Sequence, residues 1–423
     1  MAFVENLRKI WTLPDLRRRV LFVILLLLIT RLFAHIPLPG VQLDTLRDFF
    51  SRNQLFGILD MFSGGSISRF SIILMGVGPY ITSSIIIQLL TVAIPSLEAL
   101  QKEGEFGRHK INQYTRWLTI PMAIIQAYGM LAILRSQGIV ISLSTFDLIT
   151  VLIAASAGTI FLMWIGELIS ENGIGNGISL IITLGIIAGL PVQVRNTFAI
   201  IGTGKIGALI FFGVLTLITI GFIVLVTEGE RQIPVTYARR IRMGATIPVE
   251  SHLPLRVNTA GVIPIIFAIS FITLPGVAAR FFQSARTPFI ANSASAIAKF
   301  FENNLYYGII YFILVIAFTY FYTSIVFKPD EVAENLQKQG GFIPGIRPGR
   351  ETSTYLKSIM SKITLPSSIF LGIIAVLPFL VQAATGITTL VLGGTSILII
   401  VAVIIETMKQ FQAQLVMKTY ENL

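Results

Sequence analysis

Few residues in this chain have side chains able to do chemistry, and their spacing limits what they can do. There is no cysteine, which excludes disulfides, thiol catalysis and thiolate metal sites. The three histidines, His35, His109 and His252, stand in separate loops without the close ligand spacing of a metal site. No G-x-x-x-x-G-K-[ST] string occurs, so the chain has no ATPase loop to cradle phosphates. The run Gly173 to Gly177 joins two apolar segments, not a strand and a helix, and reads as a tight turn. Glu167 falls at the end of an apolar segment, and Glu406 can pair with Lys409 at i,i+3. The expectation is a chain that is not an enzyme and has no catalytic residue, metal or cofactor. Its work must be done by apolar side chains and by polar groups at the edges of the apolar segments.

Those segments dominate the chain. Eight stretches carry no Asp, Glu, Lys or Arg: 70–97, 117–134, 148–166, 172–194, 206–227, 257–279, 303–327 and 363–405. A membrane-spanning helix needs ~20 mostly apolar residues, and soluble helices need a polar face. Gly386 and the Gly393-Gly394 pair divide the last stretch into two helices, about 363–384 and 395–413. Val20 to Ala34 forms a further span, with Arg31 near its far end, placed to snorkel to the interface. The stretch 70–97 holds one span, about 72–92. The other cores are about 115–135, 148–168, 176–194, 206–228, 259–280 and 305–327. The pattern predicts an all-α membrane protein with ten spans.

An even number of spans puts both termini on one side, and Lys and Arg choose the side. The terminal segments and the loops 93–116, 229–258 and 328–362 carry 22 Lys and Arg, against 9 on the opposite side. The termini are therefore expected in the cytoplasm, and this asymmetry accounts for most of the net charge of +11. No small-residue cleavage site follows the first apolar run, so it reads as a retained anchor and not a cleaved signal.

The middles of the spans are empty of ionisable groups. Ion-coupled transporters keep such groups in the membrane to bind the coupling ion, so a pathway lined by apolar groups fits better. Between 37 and 71, on the outer side, the chain is not an ordinary loop. Leu55 to Phe62 is apolar but too short to span, and Ser63-Gly64-Gly65-Ser66 follows it. Two readings fit: a short re-entrant half-helix dipping into a cavity, or an amphipathic helix lying on the outer surface.

The string MFSGGSISRFSIILMGVGPYITSSIIIQLL (Met61 to Leu90) resembles the plug and second span of the SecY family, the central subunits of the general protein-conducting channel. KEGEFGRHKINQYTR (Lys102 to Arg116), FLMWIGELISENGIGNGISLII (Phe161 to Ile182), SHLPLRVNTAGVIPIIFA (Ser251 to Ala268), GGFIPGIRPG (Gly340 to Gly349) and GGTSILI (Gly393 to Ile399) are similar to the same family, in the same order. The resemblance covers nearly the whole chain. It implies two inverted five-helix halves, 1–195 and 196–423, around an hourglass pore.

It also implies a waist ring of aliphatic side chains at Val77, Ile81, Ile182, Ile186, Ile266 and Ile399. Two pairs in this set have i,i+4 spacing and so share a helix face. An apolar constriction resists ion leakage by dewetting. The implied plug is the segment at about 55–68, with Phe56, Ile58, Met61 and Phe62 as its apolar body and Gly64 and Gly65 as its hinge. The implied lateral gate, where signal peptides and membrane helices leave for the lipids, carries Gln88 and Asn258. Arg239, Arg240, Arg242 and Arg347, on basic loops, are the implied docking residues for the ribosome or the motor ATPase SecA.

SecE-like and SecG-like small membrane subunits are implied as partners, and the bacterial cytoplasmic membrane as the location. The implied function is passage of unfolded secretory polypeptides, the nascent chains, across the membrane and release of membrane helices sideways. A solute transporter of the inverted-repeat kind is the alternative, and would need a polar site at mid-membrane. A membrane-insertion or scaffold protein without a pore is a third reading, and would leave 55–68 without a task.

Overall fold

The computed structural model describes residues 13–39, 41, 45–46, 60, 63–139, 144–199, 206–240, 246–283, 287–385 and 394–421. Among these, ten apolar helices form the membrane body: α1 (Pro14–Phe33), α2 (Gly78–Ala93), α4 (Glu105–Ser136), α5 (Thr145–Asn172), α6 (Gly177–Ala199), α7 (Ile206–Glu228), α8 (Ile263–Phe282), α10 (Asn304–Val326), α12 (Arg350–Thr385) and α13 (Gly394–Glu421). Short helices α3 (Pro95–Lys102), α9 (Pro288–Glu302) and α11 (Pro329–Lys338) lie between them. Three strands, β1 (Glu230–Arg240), β2 (Thr246–Arg256) and β3 (Gly341–Phe342), complete the fold.

Length and apolarity alone single out α4, α5, the α10–α11 rod, α12 and α13 as spans. α1 and α2 fall short for visible reasons. α1 is apolar only between Arg17, Arg18 and Arg19 at one end and Arg31 at the other. α2 is short and bends by 100° into α3. Pro79 and Pro264 occupy the first turns of α2 and α8, where a missing N–H is harmless. The predicted span at 72–92 is thus corrected at its start, because 71–77 is a chain of turns before α2 begins. α12, at 36 residues, is about 54 Å long and projects well beyond a ~30 Å hydrocarbon layer.

The loop ends are built from local chemistry. Ser144 and Asp147 form a reciprocal capping box at the start of α5. The predicted turn 173–177 is present: Gly175 has φ +90°, and the Asn176 side chain accepts from Ser179 N–H at 3.1 Å to cap α6.

The 229–258 segment, expected as a basic loop, is instead an antiparallel hairpin. β1 and β2 pair along their whole length, from Glu230 with Arg256 to Arg240 with Thr246, and β3 adds to β1 at Thr236 and Tyr237. The alternation that builds it is Gln232-Ile233-Pro234-Val235. Ile233 and Val235 are buried in a small separate core with Leu336, Ile343 and Leu356, while Gln232 and Pro234 face out. The loop 281–304 likewise contains a helix, α9.

The helices meet in two groups. α1, α2, α4, α5 and α6 pack on one another, as do α7, α8, α10, α12 and α13. The groups touch along two seams, α8 against α2 and α4, and α13 against α6. One apolar core runs through both groups.

Candidate functional site

A cavity of about 140 Å³ lies where the first seam meets the segment after residue 62. Val77 and Ile81 line it from the start of α2, Ile182 from α6, and Ile266 and Ile269 from α8. Ser63 and Ile67 line it from the segment before α2. Four of the six aliphatic positions marked in the sequence therefore share one cavity. The other two, Ile186 on α6 and Ile399 on α13, are fully buried in the same apolar core. Elements distant in sequence bring these side chains together, and their branched methyls leave the cavity wall mostly apolar.

The segment 63–77 is held by a dense local network. The Asp60 carbonyl accepts from Gly65 N–H at 2.8 Å and from the Ser63 hydroxyl at 2.8 Å. The Asp60 carboxylate accepts from Ser68 N–H at 2.8 Å. Burial moves the Asp60 carboxyl upward from its usual range, against the opposing pull of the Ser68 N–H and of Arg69. Gly64 (φ +73°) and Gly65 (φ +76°) adopt the left-handed backbone that glycine alone enters freely. Phe70, fully buried at φ +48°, is a non-glycine exception and marks a strained reversal of the chain. Leu38 N–H to Phe70 O (2.7 Å) and Ile72 N–H to Ile36 O (3.0 Å) clamp this reversal to the chain leaving α1. Phe56, Ile58, Met61 and Phe62 lie outside the described residues.

The seam between α8 and the α2–α4 pair is polar where it borders the cavity. Gln126 on α4 donates to the Thr82 hydroxyl on α2 at 3.2 Å, and Ser270 and Thr273 on α8 face the same space. Gln88 and Asn258, marked in the sequence for this seam, do not bond to each other. The Gln88 amide donates to Ser84 on its own helix at 3.1 Å, and the buried amide oxygens of Gln88 and Asn258 both lack a partner. Gln126 was missed because one polar residue in an apolar helix has no periodic signal. Its pairing with Thr82 depends on how two helices cross.

Residues 71–408 match the SecY family model. A protein translocase subunit SecY from Streptomyces galbus is 42% identical over 97% of this chain and 97% of its own length. The same subunit from Aquifex aeolicus is 41% identical, with 99% of each chain covered. The chain belongs to the SecY family. Among solved structures it is similar to one titled "The structure of a protein conducting channel", with TM-score 0.66, 19% identity and 93% and 91% of the two chains covered. It is also similar to Sec61 in a canine ribosome–channel complex, with TM-score 0.62, 18% identity and the same coverage. These distant structures share the SecY fold of ten membrane helices, and the chain is a multi-pass membrane protein.

In this SecY-family chain, Arg347 is exposed on a tip between Gly345 (φ +82°) and Gly349 (φ +97°). Its carbonyl is pinned by the Thr352 hydroxyl at 2.9 Å. Arg239 and Arg240 end strand β1, and Arg242 lies outside the described residues. Two expectations about charged residues are corrected. Arg31 does not simply reach for the interface, because its guanidinium donates to Gly64 O at 2.8 Å. Lys409 does not pair with Glu406. It meets Glu228 at 3.2 Å and Glu230 at 4.0 Å, because α13 packs along α7 and brings that helix end into reach. Glu167 pairs with Arg116 at 2.6 Å, tying α5 to α4. His35 bonds to Arg31 O and to the Arg69 side chain, and His109 to Gln113.

Proposed function

We propose that the aliphatic cavity is the waist of a pore for unfolded polypeptides, and that the segment around Gly64 is the movable stopper on its outer side. As a SecY-family member the chain is a protein translocase subunit and a protein-conducting channel. The observation that carries the mechanism is the convergence of Val77, Ile81, Ile182 and Ile266, from three separate helices, on one cavity capped by Ser63 and Ile67. Branched side chains offer an ion nothing in place of its hydration shell, yet they can rotate aside for a passing chain. The two helix groups, 1–195 and 196–423, act as the two halves of the pore wall. A photo-crosslinker at position 81 should capture a stalled, exported chain. No adduct in a translocating sample would remove the pore assignment.

The α2–α4/α8 seam serves as the lateral gate through which signal peptides and membrane helices reach the lipids. Its polar lining, Gln126 and Thr82 on one wall and Ser270 and Thr273 on the other, lowers the cost of wetting the seam as it parts and so sets the threshold that an apolar helix must overcome. Gln126→Leu together with Thr82→Val should replace a polar seam with a dry one and tighten the closed gate. Export of substrates with weakly apolar signals then falls several-fold while strong signals pass. Equal loss for both signal classes counts against a gating role.

The cytoplasmic hairpin and the Arg347 tip dock the energy source, a ribosome or the SecA motor. SecE-like and SecG-like subunits complete the complex in a bacterial cytoplasmic membrane, with both termini in the cytoplasm. Arg347 is exposed, and a planar guanidinium pairs in two-pronged fashion with carboxylate or phosphate. Arg347→Glu should reduce SecA-dependent export by about tenfold, the effect of reversing a charge at a docked contact. It should leave ribosome-driven insertion much less affected. Equal loss in the two assays points to misfolding instead.

A further inference from the structure

We infer that Arg31, at the outer end of α1, is the latch that holds the plug closed, and that the Gly64–Gly185 contact is its seat. The inference rests on the reading of this segment as the plug.

Arg31 lies at the far end of the apolar stretch of α1, where a guanidinium normally turns to water. Here it turns inward. It borders a small cavity of about 30 Å³ shared with Gly64, Ser66, Leu184 and Gly185, and it donates to the Gly64 carbonyl at 2.8 Å. That carbonyl belongs to the left-handed turn Gly64-Gly65, where the chain reverses toward Asp60. A charge-assisted bond to a carbonyl in a partly desolvated site is stronger than a neutral one.

A second tie runs in parallel. His35, one turn beyond Arg31, bonds through Nδ1 to Arg31 O at 2.8 Å and through Nε2 to the Arg69 guanidinium at 3.0 Å. Arg69 has no proton-accepting nitrogen, so Nε2 accepts, and the Nδ1 proton is the one given to Arg31 O. Arg69 is five residues past Gly64, so α1 grips the segment at two points.

The seat is steric. A Cβ added to Gly64 would stand 2.8 Å from Gly185 Cα. The plug backbone therefore lies directly on the α6 backbone, one residue before Ile186 of the proposed ring. Glycine at 64 is required twice, by its φ of +73° and by this approach. The bond ties Gly64 to α1 and the seat rests it on α6, both helices of the first group, so lifting the segment off that group breaks bond and seat together. That suits a stopper that must be tight at rest and released as a unit when the wall parts.

The test is resting ion conductance of the purified channel complex in planar bilayers, for wild type, Arg31→Gln, a deletion of 57–67, and the two combined. Arg31→Gln should raise resting conductance about tenfold, the scale of one lost charge-assisted hydrogen bond. It should add nothing in the deletion background, because a latch without a plug has nothing to hold. Arg31→Lys, which keeps a cationic donor, should restore part of the seal. Gly64→Ala, which leaves Arg31 intact, should leak like Arg31→Gln. Should the deletion itself not leak, the plug reading falls and the latch with it. A leaky deletion beside a tight Arg31→Gln and a tight Gly64→Ala overturns the latch alone. Equal additional leakage from Arg31→Gln with and without the plug segment also overturns it, and makes Arg31 a support of the pore wall.

Discussion

Deleting residues 57–67 is expected to raise the resting ion conductance of the reconstituted channel by at least about tenfold, because an apolar waist seals only while it stays dry. The deleted stretch contains Ser63 and Ile67, which together wall one side of the cavity. It also removes Gly65, whose N–H anchors the turn to Asp60. The cavity, at about 140 Å³, already exceeds the ~10–15 Å³ that one water requires. With that wall gone, the cavity opens to bulk water and the aliphatic ring must hold alone. Such a ring cannot be loose enough for a polypeptide and fully tight to ions. Two barriers in series relax that conflict. Unchanged single-channel conductance and open probability after the deletion would leave the segment without the role of a stopper.

Ile399→Asn should have the second large effect, on signal selectivity. Ile399 is fully buried in α13 within the core that joins the two helix groups. Asparagine there loses the packing of a branched side chain and buries an amide with up to four hydrogen-bonding positions to satisfy. Together these cost about 2–4 kcal/mol in the state where the site is dry. The open state, with its wet pore, does not carry that penalty. The closed–open balance therefore moves toward open by about one and a half to three orders of magnitude. A substrate with a defective signal, which normally cannot supply the opening energy, should then be exported. Ile81→Asn should act in the same direction but more weakly, because Ile81 is only partly buried. Unaltered export of the defective substrate, at normal channel abundance, would argue against a role for Ile399 in closure.

The membrane spans were open to reading in one dimension because the bilayer acts on composition. About twenty residues without charge cannot be stable in water and need no partner to be recognised. The same holds for the turn at 173–177, where glycine and asparagine set their own backbone. Alternation over only four residues, Gln232 to Val235, gave too short a signal to separate the hairpin from a basic loop. Its register depends on the small core supplied by α11 and α12.

The charged residues show the limit most clearly. Arg31 read as a snorkelling side chain, and Glu406 with Lys409 as a helical pair, since sequence distance was the only distance at hand. Arg31 instead reaches a carbonyl 33 positions away, and Lys409 reaches across to α7. Gln126 and Thr82 met for the same reason, through the crossing of α2 and α4. Hydrophobicity is a property each segment carries alone, so the chain announces where it enters and leaves the membrane. A hydrogen bond or a cavity wall is a property of two or more segments at ångström range, so the Arg31–Gly64 bond, the α2–α4/α8 seam and the aliphatic cavity took shape only when the helices packed.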